Sequence, residues 1–135
     1  IFVTLKKVTK MSDSKQVYQT LLEAVLPSEL FQYFEILKVS IVDKRIDVHL
    51  DELNIEPDNF QGHVVSKGFH GPIIVQDFPI RERSVFLHVR RRRWTVVSSG
   101  KIISRDWDTV AKGTRYTKGF ASFLKGLFGQ LPNQQ

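Results

Sequence analysis

Apolar positions along this chain change period twice, from about 3.6 residues to two and back again, and those changes mark out its elements. Tyr18, Leu21, Leu22, Val25 and Leu26 recur at helical spacing behind a capping Ser12 or Ser14, which predicts an amphipathic helix that Pro27 ends. Ser28 is placed to cap a short second helix bearing Leu30, Phe31 and Phe34. The period then becomes two. Leu37, Val39 and Ile41 alternate with Lys38 and Ser40, Asp43-Lys44 turns, and Ile46, Val48 and Leu50 alternate with Asp47, His49 and Asp51, an antiparallel hairpin. Residues 53–61, with Pro57-Asp58-Asn59, read as a loop. Segments 63–69 and 73–78 read as strands broken by Gly71-Pro72. Pro79 turns into a strand that begins at Ser84, runs through Val97 to Ser98-Ser99-Gly100, and returns along 101–104. Beyond Gly113, Phe120, Phe123, Leu124, Leu127 and Phe128 mark one helix face, with Lys118, Ser122 and Lys125 opposite. Gly119, Gly126 and Gly129 weaken that helix, so it is expected to pack on the domain's own sheet.

The predicted fold class is α+β: N-terminal helices, a mostly antiparallel sheet with a basic Cys-free β-hairpin, and a C-terminal helix. One domain spanning 1–135 is expected. Within it, residues 1–13 are expected to be disordered or to lie upstream of a start at Met11, 14–80 to hold helices and hairpin sheet, and 81–128 the basic hairpin and helix.

Composition narrows the class. A hydrophobic content of 41% with ten Phe argues against disorder. The absence of Cys excludes a disulfide framework and any Cys-ligated zinc, and fits a reducing cytoplasm. No apolar run approaches a membrane span, and the first ten residues do not read as a signal peptide.

Charge changes the picture more. The chain carries 20 basic and 14 acidic residues, net +6, but the window Arg81–Arg93 alone holds six Arg and one Glu, net +5. Residues 36–80 are net −3 and residues 81–135 net +9. The basic excess is therefore a patch, the usual footprint of a phosphate-binding surface.

The centre of that patch is Arg90, Arg91, Arg92 and Arg93, followed at once by Trp94. Four adjacent guanidinium groups repel unless a polyanion or carboxylates balance them. Arg81, Arg83, Arg105, Lys112, Arg115 and Lys118 extend the candidate DNA-contacting set. The competing reading is a solvated strand end paired with carboxylates of the acidic segment 36–80. Asp106 is a candidate to orient a facing Arg, and Trp107 reads as a core residue. Asp47, His49 and Asp51 share one strand face, but period-two alternation alone puts polar residues there, and no metal site is assigned. No catalytic motif and no cofactor-binding motif appears.

Lys67-Gly68-Phe69, Val75-Gln76-Asp77-Phe78-Pro79-Ile80-Arg81, Val85 through Trp94, Arg105-Asp106-Trp107 and Val110-Ala111-Lys112-Gly113-Thr114-Arg115 together resemble the N-terminal region of insertion-sequence transposases of the ISAon type. The resemblance runs from about Leu26 to Leu127. The same stretch looks like the zinc-ribbon region of another transposase group, with the hairpin kept and the Cys pairs replaced by Thr95-Val96-Val97-Ser98-Ser99-Gly100. What the resemblance implies is recognition of double-stranded DNA at transposon ends by a non-enzymatic region. The catalytic carboxylates would lie in a separate polypeptide or segment, a catalytic transposase polypeptide would be a partner, and the location would be the cytoplasm, at the nucleoid. Homo-oligomerisation is left open. Two alternatives stand beside this: an interaction module whose C-terminal helix docks the catalytic polypeptide, and an RNA-binding module using Trp94 and the neighbouring Arg.

Overall fold

The computed structural model describes residues 2–3, 12–57, 62–107, 110 and 114–131. Helix α1 (Ser12–Val25) ends before Pro27, and a single helical turn, α2 (Leu30–Tyr33), follows. Glu29, not Ser28, is the α2 N-cap, and it makes no side-chain capping bond. Strands β2 (Phe34–Val42) and β3 (Arg45–Glu52) form the expected hairpin, with Val42 facing Arg45 across the two-residue turn. β4 (Val64–Phe69), β5 (Ile73–Ile80), β6 (Arg83–Arg90), β7 (Arg92–Val96) and β8 (Ile102–Ile103) complete the strands, and α3 (Lys118–Phe128) closes the chain's elements. The α+β class with a mostly antiparallel sheet and a C-terminal helix is the fold observed.

The strands divide into two sheets. One holds β1 (Phe2–Val3), β2, β3, β6 and β5 in that order, the other β4, β7 and β8. Phe2 and Val3, expected ahead of the fold, pair with Ser40 and Val39 as an edge strand. β3 and β6 run parallel, Ile46 beside Val85 and Leu50 beside Val89, although every other pair is antiparallel. The segments before and after residues 80/81 share one sheet, since β5 and β6 are hydrogen-bonded neighbours.

Burial of every second residue follows the pleat. Val48, Leu50, Val85, Leu87 and Val89 point into one core with Leu26, Leu30 and Phe34 from the helical segment, and Trp107 packs on it from outside the sheets. The phase in β2 differs from the alternation read in the sequence. Its register slips between Ile36 and Lys38, so Leu37 is a bulge residue and Phe34 and Ile36, not Leu37, fill the core ahead of it. A second cluster, Tyr116, Phe120, Ala121 and Leu124, seats α3. Its entry segment bonds to the β5 edge: the Gln76 N–H donates to the Arg115 carbonyl at 2.8 Å and the Thr117 N–H to the Gln76 carbonyl at 3.0 Å. The Thr117 hydroxyl donates to the buried Asp77 carboxylate at 2.8 Å. Burial pushes that carboxyl above the usual range, against the hydrogen bonds it accepts from Thr117 and from the Phe78 N–H. Gly119 allows the close approach of Phe78, whose ring would lie 3.3 Å from a Cβ at that position. No helix among the described residues is long and apolar enough to cross a membrane.

Candidate nucleic-acid interface

The arginine run begins at the end of one sheet and continues into the other. β6 ends at Arg90, Arg91 belongs to neither ladder, and β7 starts at Arg92. The Arg91 carbonyl accepts from the His70 N–H at 2.8 Å, and the Arg92 N–H donates to the Glu52 side chain at 3.2 Å instead of to a strand. Strict alternation through four arginines, as a single long strand would give, is therefore broken at Arg91.

Glu52 is the residue that organises this crossover, and it lay outside the expected set. Ile46, Val48, Leu50 and Glu52 are the buried positions of β3, so the pleat carries a carboxylate into the interior as its last inward side chain. A carboxylate only 1% exposed needs cations and donors around it. It accepts from the Trp94 indole N–H at 3.2 Å and lies 3.5 Å from the Arg105 Nε. Arg92 also donates to the Glu52 backbone carbonyl and to the Ser66 hydroxyl, both at 2.9 Å. Arg105 donates to the Ile55 carbonyl, and its guanidinium sits 4.0 Å above the Tyr33 ring. Arg91 donates to the Arg105 carbonyl, while its Nε is buried with no acceptor among the described residues.

The expected contact set therefore separates by geometry. Trp94 is 1% exposed and has no ring face to offer a base. Arg92 and Arg105 are turned to internal backbone acceptors, as is one terminal nitrogen of Arg91, which is neither phosphate contact nor the solvated pairing with carboxylates of the competing reading. Arg90 is half-exposed but grips Asp51 through two bonds of 2.7 and 2.6 Å, its guanidinium 4.2 Å from the Phe69 ring. The hydrogen bonds that Arg90 donates to Asp51, and the charge of that carboxylate, outweigh burial and hold the guanidinium above its already high range. Arg83 donates to the Asp43 carbonyl at 3.2 Å, joining the β5–β6 and β2–β3 turns. Arg81 stands exposed at the tip of the β5–β6 turn, where it and Glu82 both take left-handed backbone (φ 50° and 68°). Arg115 and Lys118 are exposed near the start of α3, and Lys112 lies outside the described residues.

Arg93 is different from its three neighbours. The register Ser66–Trp94 and Val65–Thr95 puts Trp94 and Ser66 on the inner face of the small sheet. Lys67, Arg93, Thr95 and Val65 therefore lie on its outer face. Arg93 is half-buried, Lys67 is exposed, and neither has an ion-pair partner among the described residues. Lys101 is exposed at the turn between β7 and β8. From Gly62 to Gln76 and from Arg91 to Arg105 the sequence holds no Asp or Glu, so this three-stranded sheet is acid-free.

The five-stranded sheet shows the opposite arrangement on its polar face. Arg45 grips Asp47 at 2.9 Å, His88 contacts the same carboxylate at 2.6 Å, and the His49 and His88 rings stack 4.3 Å apart. Burial raises the Asp47 carboxyl, but hydrogen bonds from Arg45 and His88 outweigh it and hold the group below its usual range. Asp47, His49 and Asp51, read as strand-face polar residues, are engaged in these pairs, and no metal-binding group of three appears among the described residues. No protein-family model, curated protein or solved structure matches the chain, so a functional reading rests on its own residues.

Proposed function

We propose that this chain is a non-catalytic double-stranded-DNA-binding domain, the N-terminal or accessory region of an insertion-sequence transposase, and that the outer face of the β4–β7–β8 sheet is its contact surface. The observation that carries the reading is the acid-free sheet with Lys67 and Arg93 on its outer face and Lys101 exposed at its β7–β8 turn, beside a larger sheet in which Asp47 and Asp51 hold Arg45 and Arg90. A short antiparallel ribbon fits the major groove, and cations on it that have no ion-pair partner among the described residues supply the phosphate contacts. Arg90 at the rim and Arg81 at the turn tip extend the surface, whereas Arg92, Trp94 and Arg105 hold its scaffold. The transposon-end target follows from the sequence resemblance and not from the geometry.

The test is a salt titration of duplex affinity. Each phosphate contact contributes a slope of about −0.9 in log K against log salt. Replacing Lys67, Arg93 and Lys101 with Gln should flatten the slope by about 2–3 and weaken binding to all duplexes, leaving the melting temperature unchanged. Unaltered affinity in that variant would remove the small sheet from the interface.

A further inference from the structure

Among the described residues, only half of the apolar surface of α1 is packed against the rest of the chain. Leu22 and Leu26 pack on the core, but Val17 and Leu21 on the opposite side are 65% and 60% exposed, with Tyr18 and Val25 flanking them at 50% and 43%. Between the large residues sit two small ones, Thr20 and Ala24, which with Gln16, Val17 and Leu21 form an open, shallow surface. The Thr20 hydroxyl donates back to the Gln16 carbonyl at 2.8 Å, so its polar atom is satisfied within the helix.

We propose that this face of α1 pairs with the same face of α1 in a second copy of this chain, antiparallel about a twofold axis between residues 20 and 21. The order of side chains selects a second copy as the occupant. In that register Val17 of one chain meets Ala24 of the other, and Leu21 meets Thr20, so each large residue enters a small-residue gap. Because an isologous contact is reciprocal, both gaps in both chains are filled at once. The spacing 17, 20/21, 24 is the three-four alternation by which helices interdigitate. Charge does not oppose the approach: Glu23, bonded to Gln19 on the flank, falls opposite Tyr18 of the second chain and not opposite another carboxylate.

The size of the face sets the strength. Four side chains exposed by 43–65% leave on the order of 400 Å² of largely apolar surface, about half of what each partner gives to a standard interface. The pairing is therefore weak, with a dissociation constant in the micromolar range or above, about 1 μM to 1 mM. It stands independently of the DNA-binding reading.

Sedimentation of the full chain across about 1 μM to 1 mM should show its mass rise from 15.6 kDa toward twice that value. Leu21→Asp should weaken association about tenfold or more with the circular-dichroism melt unchanged, since the side chain is exposed. The chain has no native Cys, so single-Cys probes report the register. An equimolar mixture of Val17→Cys and Ala24→Cys should oxidise to the mixed disulfide in excess over either homodimer. A mass that stays at one chain throughout overturns the proposal and leaves the face to a different partner. Association that survives Leu21→Asp, or disulfides that form at random, overturns it equally.

Discussion

Replacing Glu52 with Gln removes the one carboxylate that, among the described residues, balances the interior end of the arginine crossover. The carboxylate accepts from the Arg92 N–H and the Trp94 indole, and lies 3.5 Å from Arg105, whose side chain is 10% exposed. Removing one member of a buried pair leaves the other charge desolvated and unmatched, which costs about 3–5 kcal/mol. Gln keeps a carbonyl oxygen for one of the two N–H donors, and Arg105 keeps the Ile55 carbonyl and the Tyr33 ring. The lower end, about 3 kcal/mol, is therefore expected. For a domain of this length that is a fall of about 10 °C in melting temperature. Urea unfolding of wild type, Glu52→Gln, Arg105→Met and the double variant measures it, and the double variant should be more stable than additivity allows by about 1–3 kcal/mol. Below its own melting point Glu52→Gln should bind duplex DNA as wild type does, because Arg92 and Arg105 are turned inward. A loss under about 0.5 kcal/mol, or strict additivity, would show that the node is not an ion-pair centre. If Arg92→Gln and Arg105→Gln instead fold normally but lose DNA, those guanidiniums belong in the interface after all.

Three further outcomes follow from the same geometry. Asp51→Ala should change stability by no more than about 1 kcal/mol, since Arg90 is half-exposed and regains water, yet strengthen duplex binding by releasing a rim cation; weaker binding in a titration would contradict the placement of Arg90. Burial, then the charges of His88 and Lys38, hold the His49 imidazole below its usual range despite Asp47. The folded chain thus resists a proton that the unfolded chain accepts, so this stability is present above about pH 6.5 and is lost as pH falls through the lower folded value. Thermal melts from pH 8 to pH 5 should show that decline and His49→Asn should flatten it; an unchanged slope would refute the assignment. Gly126→Ala, with open space at its Cβ, should stabilise α3 by about 0.8–1 kcal/mol. Gly119→Ala should gain less because Phe78 must give way, and equal melting temperatures for the two would count against that contact.

Periodicity was enough to place the local elements. The stop of α1 before Pro27, the two-residue turn at Asp43-Lys44 and the C-terminal helix bearing Phe120 and Leu124 were all legible, because helix and strand periods are properties of neighbouring residues. Charge counting located the basic segment, and even the Glu52 node left a signal: a carboxylate on the inward phase of Ile46, Val48 and Leu50, which the alternation of β3 shows once it is followed one step further. Pairing was not legible. Nothing in β3 or β6 alone states that they lie side by side and parallel, that Leu37 is a bulge, or that the basic strand changes sheets at Arg91. Those features depend on which strand edges meet across 30 or more residues, a choice settled by burying all the inward faces together. The same choice decided the fate of the cations. Sequence supplied a run of four arginines; the tertiary structure turned Arg92 toward Glu52, paired Arg90 with Asp51 and left Arg93 facing out, because a buried carboxylate has to be satisfied and a solvated guanidinium does not.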